Sequence, residues 1–333
     1  MQILNRDALI PIEARVELIR RLQAAGLAYI EVGSFVNPKV VPAMGDTARL
    51  ADLVDAATYK GELAALVPNM RNFELFEATG SLNTVALFVS AAEGYSQKNT
   101  RMSVRESLDQ ARQISEAAIK DGYKVRAHVS AAFRDLTESN GPTSEQDVVQ
   151  VSEELIHMGC EVVALADTDG RATPLDIARV ISAVDRNLTL ERIGVHIHDR
   201  YGLGLVNAKV AYDLGVRIFD SAVGGIGGNQ AVRRSVGNIA TEELVNMFHE
   251  MNVDTGIDMP ALISAGELIY EMTKLVGDPP PPSKFLQEEI ERTRSIVWPE
   301  RIAEIGNSRM RELGTFLGRK LVLDLGDQES IAS

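Results

Sequence analysis

Short apolar or β-branched runs alternate along this chain with longer stretches in which apolar residues recur every three or four positions. Period-two and continuous runs of five to seven residues read as strands, and the 3.6-residue period between them reads as amphipathic helices. The strand candidates are Ala28 to Val32, Leu63 to Val67, Thr84 to Val89, Lys124 to Ser130, Glu161 to Ala166, Arg192 to His196 and Arg217 to Ala222. A stub at Met1 to Asn5 brings the set to eight. Eight strands, each followed by a helix, predict a closed (β/α)8 TIM barrel rather than an open doubly wound sheet.

The helical stretches carry their own start and stop signals. Ser103-Val104-Arg105-Glu106 has the form of a capping box, and Thr173-Pro174-Leu175-Asp176 offers an N-cap, a proline at the first helical position and an early acid. The first helix, around Val16 to Leu22, is ended by Gly26. A barrel of ordinary length is complete near residue 256, so residues 257–333 are expected to form a C-terminal helical extension. Within it the proline run at 279–282 reads as a stiff linker between a helix near Met259 to Val276 and an Arg/Glu-rich segment. That tail could cover the barrel mouth or build a contact in a homo-oligomer, although no residue pattern specifies the contact.

Composition narrows the function classes. With 333 residues, 45% of them hydrophobic, the chain can bury a large core, and its net charge of −13 without a basic run argues against a nucleic-acid partner. One cysteine, Cys160, excludes an internal disulfide and a multi-thiolate metal site, and fits a reducing compartment. The first residues lack the basic-then-apolar pattern of a secretory signal, and no run of about 18 apolar residues follows. The expectation is a soluble cytoplasmic protein that does not use a membrane. With only Met1 to Asn5 ahead of Arg6-Asp7, the first strand is short, and either the chain begins late or upstream residues are missing from this version.

In such a barrel the chemistry sits where the strands end. Val195-His196-Ile197-His198-Asp199 stands out, because alternation puts both histidines on one side of a strand about 7 Å apart. They read as paired metal ligands, with two hydrogen-bonded core histidines as the other reading. The remaining strand ends deliver Arg6-Asp7, Glu31, the alternating Arg126, His128 and Ser130, and Asp167. After the last strand come Gly224-Gly225-Ile226-Gly227-Gly228-Asn229 and then Gly237-Asn238-Ile239-Ala240-Thr241-Glu242. Two imidazoles with carboxylate and amide oxygens suit a divalent ion such as Mg²⁺ or Mn²⁺. Glu31 and Asp167 also fit ion-paired barrel residues, and Arg126 fits a structural role as well as substrate binding. The glycine run lacks the placement of a dinucleotide fingerprint and reads as a mobile loop over the mouth.

From Arg6 to about Gly256 the chain resembles the 3-hydroxy-3-methylglutaryl-CoA lyases within the wider group of metal-dependent barrel lyases and condensing synthases. The resemblance rests on Arg6-Asp7, the segment Ile30 to Lys39, Val67-Pro68-Asn69, Asp167-Thr168, His196 to Asp199 with Tyr201-Gly202, and Gly237 to Glu242. It implies that Asp7, His196, His198 and Asn238 hold the metal, that Arg6 stabilises a developing oxyanion, and that Glu31, Asp167 and Glu242 organise the site.

Three departures separate this chain from that family. Asn229 occupies the position of the family's loop cysteine and cannot titrate in its place. The turn after Asp7 is shorter, and Arg233 and Arg234 stand side by side where one basic residue is usual. Two adjacent guanidiniums could clamp a carboxylate or phosphate, a solvated surface pair being the alternative. His128 could supply the proton that Asn229 cannot, or bind substrate, or simply pack. The reading is therefore a carbon–carbon lyase acting on a small-molecule hydroxy acid or its CoA thioester, with hydroxymethylglutaryl-CoA cleavage as the named reaction. A condensing synthase and a non-catalytic metal-binding barrel are the alternatives.

Overall fold

The computed structural model describes residues 10–275, apart from 55, 57–58, 138–140 and 229–236, together with the helix at 284–294. Among the described residues there are seven strands: β1 (Tyr29–Ser34), β2 (Glu62–Leu66), β3 (Thr84–Ser90), β4 (Lys124–Ser130), β5 (Val162–Asp167), β6 (Ile193–Ile197) and β7 (Ile218–Asp220). They pair in sequence order, every neighbour parallel. The helices are α1 (Ile12–Ala24), α2 (Thr47–Leu53), α3 (Met70–Glu77), α4 (Glu93–Thr100), α5 (Val104–Lys120), α6 (Glu145–His157), α7 (Pro174–Asp185), α8 (Gly204–Asp213), α9 (Thr241–Glu250), α10 (Met259–Leu275) and α11 (Lys284–Arg294). The stub at 1–5 lies outside the described residues.

Side chains that meet across the sheet show how far it curls. In a flat parallel sheet β1 and β7 would stand about 29 Å apart, six strand spacings of roughly 4.8 Å. Here the Arg126 guanidinium of β4 lies 4.3 Å from the centroid of the Tyr29 ring of β1 and also pairs with Asp220 of β7. Only a sheet wrapped around a lumen brings those three side chains together. This is the (β/α)8 barrel that the strand count predicts.

Strand alternation sorts the side chains. Val125, Ala127 and Val129 of β4, Val163 and Leu165 of β5, and Ile193, Val195 and Ile197 of β6 all join the main apolar core, packed under the helices. The alternate positions turn into the lumen. There His128 is in register with Ala164, and Ala164 with Gly194, so small residues on β5 and β6 leave room for the imidazole.

Both predicted helix caps form. Ser103 and Glu106 make a reciprocal capping box on α5, and Thr173 and Asp176 make another on α7 with Pro174 at its first turn. A second apolar cluster packs Leu18 of α1 against Leu262, Ala265, Ile269 and Met272 of α10. The chain divides into one compact unit ending at Gln287 and another beginning at Glu288, so α11 crosses the division. Of the second unit the structure describes only the end of that helix. The proline run at 279–282 lies outside the described residues. No helix among the described residues is long and apolar enough to cross a membrane.

Candidate metal centre

The candidate site is built from the strand ends inward. His196 and His198 emerge on the same side of the β6 terminus, their rings edge to face with centroids 5.2 Å apart. His198 is buried, and its Nδ1 lies 2.8 Å from the main-chain oxygen of Asp167. A carbonyl can only accept, so Nδ1 carries the hydrogen and Nε2 is left as an unprotonated donor for a metal. Burial and the neighbouring His196 push the His198 pKa down to about 4, which keeps that ring neutral at physiological pH.

Asn238 reaches the same place by a separate route. Residues 237–239 run antiparallel beside the β6 exit, with a bridge between His198 and Asn238 and hydrogen bonds from Asp199 N to Gly237 O and from Ile239 N to Ile197 O. The Asn238 amide donates to the Ile226 carbonyl at 2.9 Å, which fixes its flip. Its Oδ1 is buried without a hydrogen-bond partner among the described residues. An orphaned amide oxygen beside a neutral imidazole fits a divalent cation that takes mixed N/O ligands.

The glycine run is more firmly held than its composition suggests. Gly224 N donates to the buried Glu242 carboxylate at 3.0 Å, and Gly225 N to Ala222 O at 2.9 Å. Gly227 has φ +113°, and a Cβ there would overlap the Asn238 amide, while a Cβ on Gly237 would overlap the Gly225 carbonyl. Residues 224–228, part of the run expected as a mobile loop, form a close-packed backbone seat for Asn238. Glu242, at the first turn of α9, braces that seat.

Asp167 takes a position that alternation explains. It continues the outward series Val163 and Leu165, so its carboxylate accepts the backbone amides of Arg171 and Ala172 in the following turn. Burial raises its pKa to about 7 even though those amides pull it down. It stands behind His198 and braces it through the main-chain oxygen.

Inside the lumen, Arg126, His128 and Glu31 form one network with Tyr29 and Asp220. His128 Nε2 lies 3.5 Å from Glu31 and its Nδ1 3.6 Å from Asp220, so both ring nitrogens face carboxylates. His196 Nδ1 is 3.4 Å from the same Asp220 carboxylate, and Arg126 pairs with its other oxygen. The Tyr29 hydroxyl lies 3.3 Å from Glu31, and burial together with that acid pushes its pKa well above the usual range. Burial alone would raise the Asp220 carboxyl, but Arg126 and the two imidazoles outweigh it and hold the group below the usual carboxylate range. Ser130 ends β4 at the alternation position shared with Arg126 and His128.

Tyr29 and Asp220 were missed by sequence reasoning. Asp220 was legible by the rule that found Asp167, since it is an acid near the end of a predicted strand. Ligand atoms of His128, His196 and Asp220 lie within 4.8 Å of one another. Arg6, Asp7, Asn229, Arg233 and Arg234 lie outside the described residues. The structure thus brings together His196, His198 and Asn238 at the rim, and Glu31, Arg126 and His128 just inside it.

The HMGL-like family model matches residues 5–269. A 3-hydroxy-3-isohexenylglutaryl-CoA/hydroxymethylglutaryl-CoA lyase of Pseudomonas aeruginosa is 36% identical over 268 residues, 80% of this chain and 87% of that protein. A mitochondrial hydroxymethylglutaryl-CoA lyase of Arabidopsis thaliana is 36% identical over 276 residues, covering 83% of this chain but only 57% of the plant protein. Among solved structures, a hydroxymethylglutaryl-CoA lyase from Pseudomonas aeruginosa superposes with a TM-score of 0.80 at 33% identity, covering 87% of this chain and 94% of its own. An HMG-CoA lyase from Acinetobacter baumannii, solved with coenzyme A and 3-methylmalate, gives 0.76 at 31% identity, covering 82% and 87%. With the barrel, the paired histidines and a family match that spans most of its length, this chain belongs to the HMGL-like family.

Proposed function

We propose that the protein is a divalent-metal-dependent carbon–carbon lyase that cleaves a 3-hydroxy acid carried as its CoA thioester, with 3-hydroxy-3-methylglutaryl-CoA as the first substrate to test. The observation that carries this reading is the orphaned Asn238 oxygen beside His198, whose Nδ1 is already committed and whose ring is neutral. His196, His198 and Asn238 would hold the cation, with Asp7 as the fourth ligand and Mg²⁺ or Mn²⁺ as the ion. When bound, such an ion acts as a Lewis acid that lowers the pKa of a substrate hydroxyl.

The chain's own residues do the rest. Asp167 keeps His198 in one tautomer, Glu242 and the glycine seat hold Asn238, and the Arg126 to Asp220 pair keeps charge balanced inside the lumen. Glu31 and His128 line the lumen wall below the rim, where a hydrogen-bonding partner for the substrate is needed. Arg6 is assigned the stabilisation of charge on the departing carbon fragment, while Ser130, Asn229, Arg233 and Arg234 are assigned to substrate contact. Relatives named as lyases of CoA thioesters support this assignment.

The test incubates the purified protein with Mg²⁺ or Mn²⁺ and 3-hydroxy-3-methylglutaryl-CoA, and follows release of a 3-oxo acid and a shorter thioester. Cleavage that stops with a chelator and returns with the cation is the expected result. Condensation of an acyl-CoA with a 2-oxo acid in place of cleavage would show a synthase. Tight cation binding with neither reaction, across CoA thioesters and free hydroxy acids, would show a non-catalytic barrel.

A further inference from the structure

Both histidines at the end of β6 turn Nδ1 toward an oxygen. For His198 the partner is the Asp167 main-chain oxygen at 2.8 Å, and for His196 it is the Asp220 carboxylate at 3.4 Å. Among the described residues, His196 Nδ1 and Asp220 Oδ2 are both buried and both lack a hydrogen bond. Two orphaned polar atoms facing each other, one able to donate and the other an acceptor only, are complementary, and a shift of a few tenths of an ångström satisfies both.

We propose that Asp220 is the positioning residue for His196, accepting from its Nδ1–H and so presenting Nε2 to the cation. This rests on the metal-site reading above. Histidine ligands commonly donate their second ring nitrogen to a carboxylate or carbonyl, which fixes both tautomer and ring angle. Here one strand end uses each kind, a main-chain oxygen for His198 and a carboxylate for His196.

The same three side chains could instead be read as a cation cage, because ligand atoms of His128, His196 and Asp220 lie close enough to share an ion. The charges argue otherwise. Arg126 donates to Asp220 from inside the barrel and is itself buried, so a divalent ion on this carboxylate would face a guanidinium across a few ångströms. The pair with Arg126 leaves Asp220 ionised and anchored, as a fixed acceptor needs. His128 Nδ1, 3.6 Å from the same carboxylate, extends its reach to the lumen imidazole. Asp220 therefore links the metal ligand on β6 to the polar wall on β4.

Two measurements test this. In the metal-free wild-type protein, long-range ¹H–¹⁵N correlation spectra, with His196 assigned by its loss in His196→Gln, are expected to show the Nδ1–H tautomer. The Nε2–H tautomer would overturn the proposal without any change at Asp220. Calorimetric Mn²⁺ titration then compares wild type, Asp220→Asn, Asp220→Ala and His196→Ala, each checked for a native circular-dichroism spectrum. Positioning predicts about a 10- to 100-fold loss of affinity for Asp220→Ala. Asp220→Asn, whose amide oxygen can still accept, should lose less, and His196→Ala more. A loss in Asp220→Ala equal to that in His196→Ala would make Asp220 a ligand, and wild-type affinity in Asp220→Ala would leave it only a partner of Arg126. Either overturns the proposal. Should the alanine variant not fold, the tautomer and the asparagine variant still decide, a wild-type affinity in the latter together with an Nε2–H ring counting against it. If the wild-type protein binds no Mn²⁺, it is the metal-site reading that fails.

Discussion

Val125, Ala127 and Val129 leave β4 on its outer face, at most 1% exposed, and pack under the helices. Arg126 and His128 leave the same strand on its inner face and meet Glu31, Tyr29 and Asp220. The two faces share one backbone and differ in what they need from their neighbours. The outer face needs only apolar volume, which many side chains could fill, whereas the inner face needs particular donors opposite particular acceptors at hydrogen-bond range. A barrel can therefore carry its stability on one side of each strand and its chemistry on the other.

If that division is sound, changes on the two faces fail in different ways. The largest effect is expected for His198→Ala, which should lower Mn²⁺ affinity by more than the roughly 100-fold upper end seen for outer partners of metal ligands. Its unfolding midpoint in urea should move little by comparison. Leu165→Ala, on the outer face of β5 and fully buried, should do the reverse, costing about 2 to 5 kcal/mol of stability with Mn²⁺ affinity nearly unchanged in the folded fraction. A His198 variant that unfolds, or a Leu165 variant that loses metal affinity while folded, would erase the comparison.

Acid sharpens it. The folded pKa of His198, about 4, lies below its ordinary value of 6.5, so the unfolded chain binds the proton first and stability falls as pH drops from 6.5 toward 4. For this one group the loss is on the order of 3 kcal/mol, read as the pH-dependent difference in urea stability between wild type and His198→Asn. Asp167 works in the opposite sense. Its folded pKa of about 7 lies above the ordinary value of 3.8, so its contribution is fully present in acid and is lost as pH rises through 7. Comparing each single variant with the double variant separates the two.

Smaller effects belong to the shell alone. Ser103→Ala removes the α5 cap and should cost about 1 kcal/mol in urea unfolding without altering metal binding. Cys160 is buried, and burial pushes its thiol up to about 12, so it should stay unreactive toward a thiol reagent at neutral pH until the chain unfolds.

How much of this could be read in advance differs by region. All seven described strands coincide with runs of the expected kind, though β1 extends to Ser34 through a register shift between Glu31 and Gly33 that no apolar pattern encodes. His196, His198 and Asn238 were singled out because their spacing and surroundings resemble the family's motifs, and the structure brings the three together. Asp220 was not singled out although it is an acid near a predicted strand end, and what it does there depends on three partners, Arg126 and His128 on β4 and His196 on β6, two of which are far away in sequence. The seat made by the glycine run was not legible for a related reason. Glycine signals permissive backbone, and whether that freedom serves motion or close packing depends on what lies opposite, here Asn238.

The amino-acid order by itself determined the elements, their parallel sequence, the face each side chain takes and the pairing of the two histidines, because these follow from local periodicity and from residues a few positions apart. Only the closed tertiary structure decided which inward side chains meet. Curling the sheet brings β1, β4 and β7 across a lumen. It is that closure, not any local propensity, that sets Asp220 against Arg126, His128 and His196 and seats Asn238 beside His198.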